Sequence, residues 1–304
     1  MNLTNRLDEH PIFARVAKVA AEEGLETYVV GGYVRDLILG RPSKDIDFTC
    51  VGSGIQLAQA VAKTFDEHVP LSVFKNFGTA MLKLDDWELE FVGARKESYR
   101  QESRKPLVED GTLQEDLERR DFTINAMAIS LNAANYGELI DPFDGIKDIK
   151  AKQLKTPLQP GITFSDDPLR MMRAARFASQ LNFEIDEEVL SAMSSMASRI
   201  SIISAERVRE EFTKLLMSPN PRIGITILVD TGIAELVLPE IPKLRLEIDE
   251  HHHHKDVYEH SITVLEQAIA QEERLGGPNL VIRLAALLHD IGKPKTRNLL
   301  EGGG

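Results

Sequence analysis

At 304 residues, with 42% hydrophobic, 28% charged and 6% aromatic side chains, the chain has the composition of an ordinary globular protein, long enough for two cores. A formal net charge of −12 argues against a uniformly basic nucleic-acid binder, though not against a local basic groove. The only cysteine, Cys50, leaves no partner for an intrachain disulfide and fits a reducing cytoplasm, and no run of about 18 apolar residues reads as a membrane span.

The opening, MNLTNRLDEHPIFARVAKVAAEEG, scatters charge through an amphipathic pattern and does not read as a signal peptide. Its apolar spacing predicts a helix over residues 11–23, closed by Gly24. LETYVVGG reads as a short buried strand entering a glycine turn, YVRDLILG as a helix stopped by Gly40, and PSKDIDFTCV as a second strand. GIQLAQAVAKTF is helical by spacing. GTAMLKL and ELEFVGA flank DDW as a hairpin that sets Glu88 and Glu90 on one face. Beyond about residue 150 every apolar pattern has the helical period, from DDPLRMMRAARFASQL to NLVIRLAALLHDI, so an α+β head followed by an all-α body is expected.

Asp45 and Asp47 are one residue apart in an apolar strand, so both carboxylates face one way. Like charges on a half-buried face call for a cation between them, and two carboxylates so placed can bridge two Mg²⁺ ions about 4 Å apart, the arrangement for in-line displacement at phosphorus. Glu90 is the candidate third ligand; alternation alone also allows it to be a solvated strand glutamate. Just upstream, Gly31 and Gly32 let backbone approach a phosphate at a helix N-terminus, with Arg35 on the first turns. Plain turn chemistry is the alternative, and the lysine and Ser/Thr of a Walker A loop are absent.

Gly31, Gly32, Arg35, Asp36, Asp45 and Asp47, continued by RRDFTINAMA, DPFDGIKDI, DDPLRMMRAARFA and SAERVREEFTKLL, resemble the class II tRNA nucleotidyltransferase (CCA-adding enzyme) and bacterial poly(A) polymerase family over residues 27–217. The resemblance implies a polymerase-β-like nucleotidyltransferase head at 1–150, a helical neck and body at 151–245 for base selection and RNA binding, and a partial helical HD domain at 246–304. It implies template-independent addition of CCA to tRNA 3′ ends from CTP and ATP. Poly(A) polymerase is the rival within the family and an HD-type phosphohydrolase the rival outside it. Arg119 or Arg120 is expected near the triphosphate, with Asp121 and Asn125, four apart on a helix, near the ribose. Asp121 as a helix cap and Asn125 as a turn former is the competing account.

Asp167 and Arg170, three apart on a helix, offer an acceptor beside a donor. Cytosine and adenine present the complement, an amino donor beside a ring-nitrogen acceptor, whereas uracil and guanine reverse it. In the family a Glu-Asp-x-x-Arg motif plays this part, and here Asp166 replaces the Glu. An acid-rich helix N-terminus is the alternative, which leaves the basic stripe of Arg170, Arg173 and Arg176 unexplained. Arg173 is expected at phosphate or the RNA end, and Glu206, Arg207, Glu210 and Glu211 are expected to brace helices. The charged stretch 95–118 corresponds to a flexible element that the family associates with switching from C to A addition.

Near the end, HHHHKDVYEH and LAALLHDIGKP resemble the HD phosphohydrolase module, with His260, His289 and Asp290 at its metal-ligand positions. The module's later Asp has no counterpart before Gly304, so an interrupted domain is expected, either holding a second divalent metal or keeping the fold without binding. His251–His254 is either a metal-binding surface or a solvated loop.

Overall fold

Pro11, which has no N–H to leave unsatisfied, opens α2 (Pro11–Glu22) after the single turn of α1 (Thr4–Leu7). The computed structural model describes residues 1–65, 69–98, 107–245 and 256–296, and the chain folds as two units, Met1–Gln159 and Pro160–Gly304. The His251–His254 tract and the centre of the charged stretch, 99–106, lie outside the described residues.

In the first unit the chain continues through β1 (Thr27–Val30), α3 (Gly32–Leu39), β2 (Asp45–Cys50), α4 (Gly54–Ala62), β3 (Leu71–Phe74), β4 (Thr79–Leu84) and β5 (Trp87–Gly93). There follow the ribbon β6 (Arg95–Ser98) and β7 (Leu107–Asp110), then α5 (Leu113–Glu118), β8 (Ala128–Ser130), β9 (Leu139–Ile140), α6 (Gly145–Ala151) and β10 (Gln153–Leu154). Seven strands form one sheet in the order β3-β4-β5-β2-β1-β8-β9, and within it β2 and β5 run parallel while their other neighbours are antiparallel.

The period-2 alternation of β2 separates two chemistries. Ile46 and Phe48, both fully buried, point to the face where Phe91 of β5 stacks on Phe48 at 4.9 Å and Phe13 of α2 closes to 6.2 Å. Leu57, Ala58 and Val61 of α4 are fully buried too, and truncating Phe48 to Ala would cost about 3–5 kcal/mol. Asp45 and Asp47 point to the other face, which α5 partly covers: Leu117 packs with Tyr28, Val30 and Ala128. A capping box starts that helix, with Thr112 Oγ1 accepting from Glu115 N and Glu115 Oε2 accepting from Thr112 N.

The expected helix over RRDFTINAMA is instead a 3₁₀ turn at Thr123–Asn125 running into β8. Phe122, Ile124, Ala126 and Met127 are all fully buried, which no single helix face allows. Asp121 Oδ1 accepts from both Phe122 N (2.8 Å) and Asn125 Nδ2 (2.9 Å), local bonds that compete with a helix and still join the two residues.

The second unit holds α7 (Pro160–Asp166), α8 (Leu169–Leu181), the short β11 (Glu184–Ile185), α9 (Glu187–Met196), α10 (Ala205–Leu216), α11 (Pro221–Asp230), α12 (Ala234–Val237), α13 (Val257–Ala270), α14 (Leu280–Leu288) and α15 (Lys293–Thr296). Its centre is α8, with Met171, Met172, Ala174, Ala175 and Ala178 fully buried. Gly224 lets α11 cross α8 closely: its N–H donates to Ser179 Oγ at 2.8 Å, and a Cβ there would meet that oxygen at 2.5 Å. Arg283 of α14, only 3% exposed, donates to the carbonyls of Leu216 (2.6 Å) and Ser218 (2.7 Å) at the end of α10 and to both oxygens of Glu272. Among the described residues no helix is long and apolar enough to cross a membrane.

Candidate active site

The parallel register pairs Asp45 with Glu88 and Asp47 with Glu90, so alternation on both strands puts all four carboxylates on one face. Asp45 is exposed, whereas Asp47 and Glu90 are partly buried. Burial first, and then the charges of Asp45 and Asp116, push the Asp47 carboxyl above its ordinary range against the pull of Arg120. Glu90 is likewise raised, by burial and then by Asp47, against Arg95 and Arg120. An all-oxygen donor set suits a hard divalent cation, and Asp45, Asp47 and Glu90 share the face that would present it.

β1 lies on the other side of β2, with Val30 opposite Asp47, and delivers the Gly31-Gly32 turn beside the carboxylates. Gly31 has φ 74°, and a Cβ there would lie 2.7 Å from Arg120 Nη1 and 3.1 Å from Asp47 Oδ2. A side chain at that position is strained by the backbone conformation and would push against the Arg120 and Asp47 side chains. Arg35, 5% exposed, turns inward from α3: Nη1 donates to Asn125 Oδ1 at 2.7 Å, and Nε and Nη2 donate to Asp36 at 3.0 and 2.8 Å. Gly32, Arg35, Asn125 and Asp121 thus form one connected corner of the first unit, with Arg35 as a strut behind the glycine turn.

Arg120 completes this face through a residue that motif reading missed. Asp116 of α5 has a fully buried side chain and accepts from Arg119 Nε (3.1 Å) and Arg120 Nη2 (3.1 Å). Burial opposes its charge, yet the two guanidinium groups hold it below the usual carboxylate range. The crowding of opposite charge in QEDLERRD was the available signal.

Asp167 and Arg170, expected from the sequence to read the base, belong to the second unit. Asp167 is not in the body of a helix with Arg170; it lies between α7, which ends at Asp166, and α8, where its Oδ1 accepts from Leu169 N at 3.1 Å. Proline at 168 favours this break, since the residue before a proline is biased out of the helical region. Its other oxygen accepts from Arg207 Nη2 at 2.7 Å, and Arg170 Nη1 donates to the Thr163 carbonyl at 3.2 Å. Farther along α8, Arg176 Nε donates to Glu211 Oε2 at 2.6 Å, and Arg173 Nη1 stands 3.6 Å from Glu211 Oε1. Glu211, 5% exposed, therefore accounts for much of the basic stripe.

Among the described residues, the His, Cys, Asp and Glu side chains whose ligand atoms all lie within 4.8 Å of one another are His260, His289 and Asp290. His289 Nε2 is 3.3 Å from His260 Nε2 and 3.2 Å from Asp290 Oδ2, while His289 Nδ1 lies 2.8 Å from the Ala286 carbonyl. The Ala286 carbonyl can only accept, so it orients the ring through Nδ1 and turns Nε2 toward the cluster. Lys293 Nζ is 2.7 Å from the same Asp290 oxygen. Burial opposes the Asp290 charge, but Lys293 and the two histidines keep its carboxyl lowered.

Three known domain families match the chain: the Poly A polymerase head domain at residues 27–155, the probable RNA and SrmB-binding site of polymerase A at 182–244, and the HD domain at 257–302. An A-adding tRNA nucleotidyltransferase of Aquifex aeolicus is 48% identical over 161 residues, 53% of this chain and 19% of that protein. A CCA-adding enzyme of Enterococcus faecalis is 36% identical over 247 residues, 81% of this chain and 57% of that protein. The chain thus spans little more than half the length of that second relative. A tRNA nucleotidyltransferase crystallised with a primer tRNA and an incoming ATP analog superposes with a TM-score of 0.73 at 31% identity, covering 90% of this chain and 75% of that one.

Proposed function

The chain belongs to the tRNA nucleotidyltransferase and poly(A) polymerase family, and from that membership we propose that it adds CCA to tRNA 3′ ends without a template, using CTP and ATP. The observation that carries this reading is the single sheet face on which Asp45, Asp47 and Glu90 gather beside the Gly31-Gly32 turn. Asp45 and Asp47 hold two Mg²⁺ ions, with Glu90 as the further carboxylate. When bound, such ions supply a lowered pKa at the attacking 3′-hydroxyl and charge neutralisation at the departing pyrophosphate. The N–H groups at the start of α3 and the Arg120 guanidinium bind the triphosphate. Asp121 and Asn125, held from behind by Arg35, meet the ribose.

Asp167 and Arg170 read the base edge by accepting from the amino group and donating to the ring nitrogen. Arg173 contacts phosphate or the RNA end, and Arg176, paired with Glu211, steadies α8 for that task. His260, His289 and Asp290 hold a second divalent ion in the HD region, a set of donors that suits one. The buried lone Cys50 fits the reducing cytoplasm, where tRNA maturation takes place.

Incorporation of radiolabelled CTP into a tRNA lacking its last three nucleotides tests the reading. Incorporation should require a divalent ion and disappear in Asp47→Ala, while that variant still binds tRNA; extension by Asp47→Ala would overturn the metal assignment. The 48% identity to the Aquifex A-adding enzyme supports a second reading, addition of the terminal A alone. In that case a CC-ended tRNA accepts A, whereas the tRNA lacking all three residues accepts nothing.

A further inference from the structure

Arg120 is held at the edge of the carboxylate face of the first unit. Its side chain is 18% exposed, and its Nη2 donates to Asp116 Oδ2 at 3.1 Å. Its Nε is buried with no hydrogen-bond partner, and its Nη1 borders the empty side of Gly31. With Nη2 committed to Asp116, Nη1 is the donor that faces the glycine turn, on the side of Gly31 where Asp47 Oδ2 also lies. Asp116 is what holds it there, since this fully buried carboxylate also accepts from Arg119, and the capping box at Thr112 and Glu115 fixes the helix that carries it.

We propose that Asp116 is a positioning residue, orienting Arg120 so that its spare donors meet the phosphate groups of the nucleotide at the Gly31-Gly32 turn. The proposal rests on the transferase reading for the identity of the anion. Carboxylate, two guanidinium groups and glycine turn together form an anion site whose geometry depends on a residue that touches no ligand. Asparagine at 116 keeps the shape but removes the charge that fixes the fork, and a loosened guanidinium loses its bidentate aim.

The test uses the full chain and magnesium pyrophosphate, with affinity measured by calorimetry and the KM for CTP measured in parallel. Asp116→Asn should weaken pyrophosphate binding about tenfold or more, the scale of one charge-assisted hydrogen bond. The KM for CTP should rise in step, with the KM for tRNA unchanged. Arg120→Gln should weaken binding similarly, and adding Asp116→Asn to it should change affinity less than twofold. A lowered melting temperature with unaltered pyrophosphate affinity would overturn the proposal, as would a further tenfold loss in the double variant. If Asp116→Asn does not fold, Arg120→Lys keeps the charge without the fork: a tenfold loss supports the proposal and full affinity overturns it. A wild-type chain that binds pyrophosphate but extends no RNA would sink the transferase reading while leaving the Asp116 result standing.

Discussion

Asp47 on β2 and Glu90 on β5 are register partners across the parallel strand pair; burial raises the pKa of both, and the Asp47 charge raises that of Glu90 further. Because these carboxyls bind protons more tightly folded than unfolded, their contribution to stability is fullest in acid and is lost as pH rises through their raised folded values. At neutral pH, without metal, the pair is therefore a source of strain. Asp47→Asn should raise the metal-free melting temperature, by about 2–4 °C for each kcal/mol relieved. Magnesium should raise the melting temperature of the wild type at neutral pH more than in acid, and that of Asp47→Asn very little. A drop on Asp47→Asn substitution would show that the face is not short of positive charge.

Arg207 controls Asp167 through a 2.7 Å contact from α10. Arg207→Ala should leave the fold intact, because the contact is half exposed and pairs of that kind contribute about 0–1 kcal/mol. It should nevertheless relax selection among bases, lowering the preference for CTP over UTP about tenfold in kcat/KM. Unchanged discrimination would separate Asp167 from base reading.

Glu211 of α10 pairs with Arg176 of α8, with both side chains at most 10% exposed. Removing one partner of a buried pair strands the other charge, so Glu211→Ala should destabilise the second unit by about 3–5 kcal/mol in a denaturant titration. A loss below about 1 kcal/mol would show that water reaches Arg176.

The HD cluster should be separable from nucleotide addition. His260→Ala should abolish Co²⁺ binding seen by its visible absorption at that cluster, with CTP incorporation unaltered. Loss of incorporation in a folded His260→Ala protein would tie the two activities together.

Much of the first unit was legible because its chemistry is local. The alternation of Asp45, Ile46, Asp47 and Phe48 sets which face is polar, and the hairpin of 79–84 and 87–93 puts Glu88 and Glu90 on one face, although the parallel pairing that brings Glu90 to Asp47 is not a local feature. Partnerships between distant residues were not legible. Nothing in QEDLERRD says that Asp116, rather than Glu115 or Glu118, is the buried acid, because burial depends on where Leu117 docks. Arg35 faces Asn125, 90 residues away, where spacing alone aimed it at phosphate. The helical period of the α8 region was plain, but the proline that starts it moves Asp167 out of the helix and into the reach of Arg207. Spacing of three implied a side-by-side pair only if both residues belonged to one helix.

The most direct test of the account is sequencing of the 3′ ends formed when the chain meets all four nucleoside triphosphates and a tRNA lacking its last three nucleotides. Products ending uniformly in CCA, formed with all four nucleotides present and absent when Asp47 is alanine, are predicted. A run of A beyond the first, or U and G at the added positions, would contradict it.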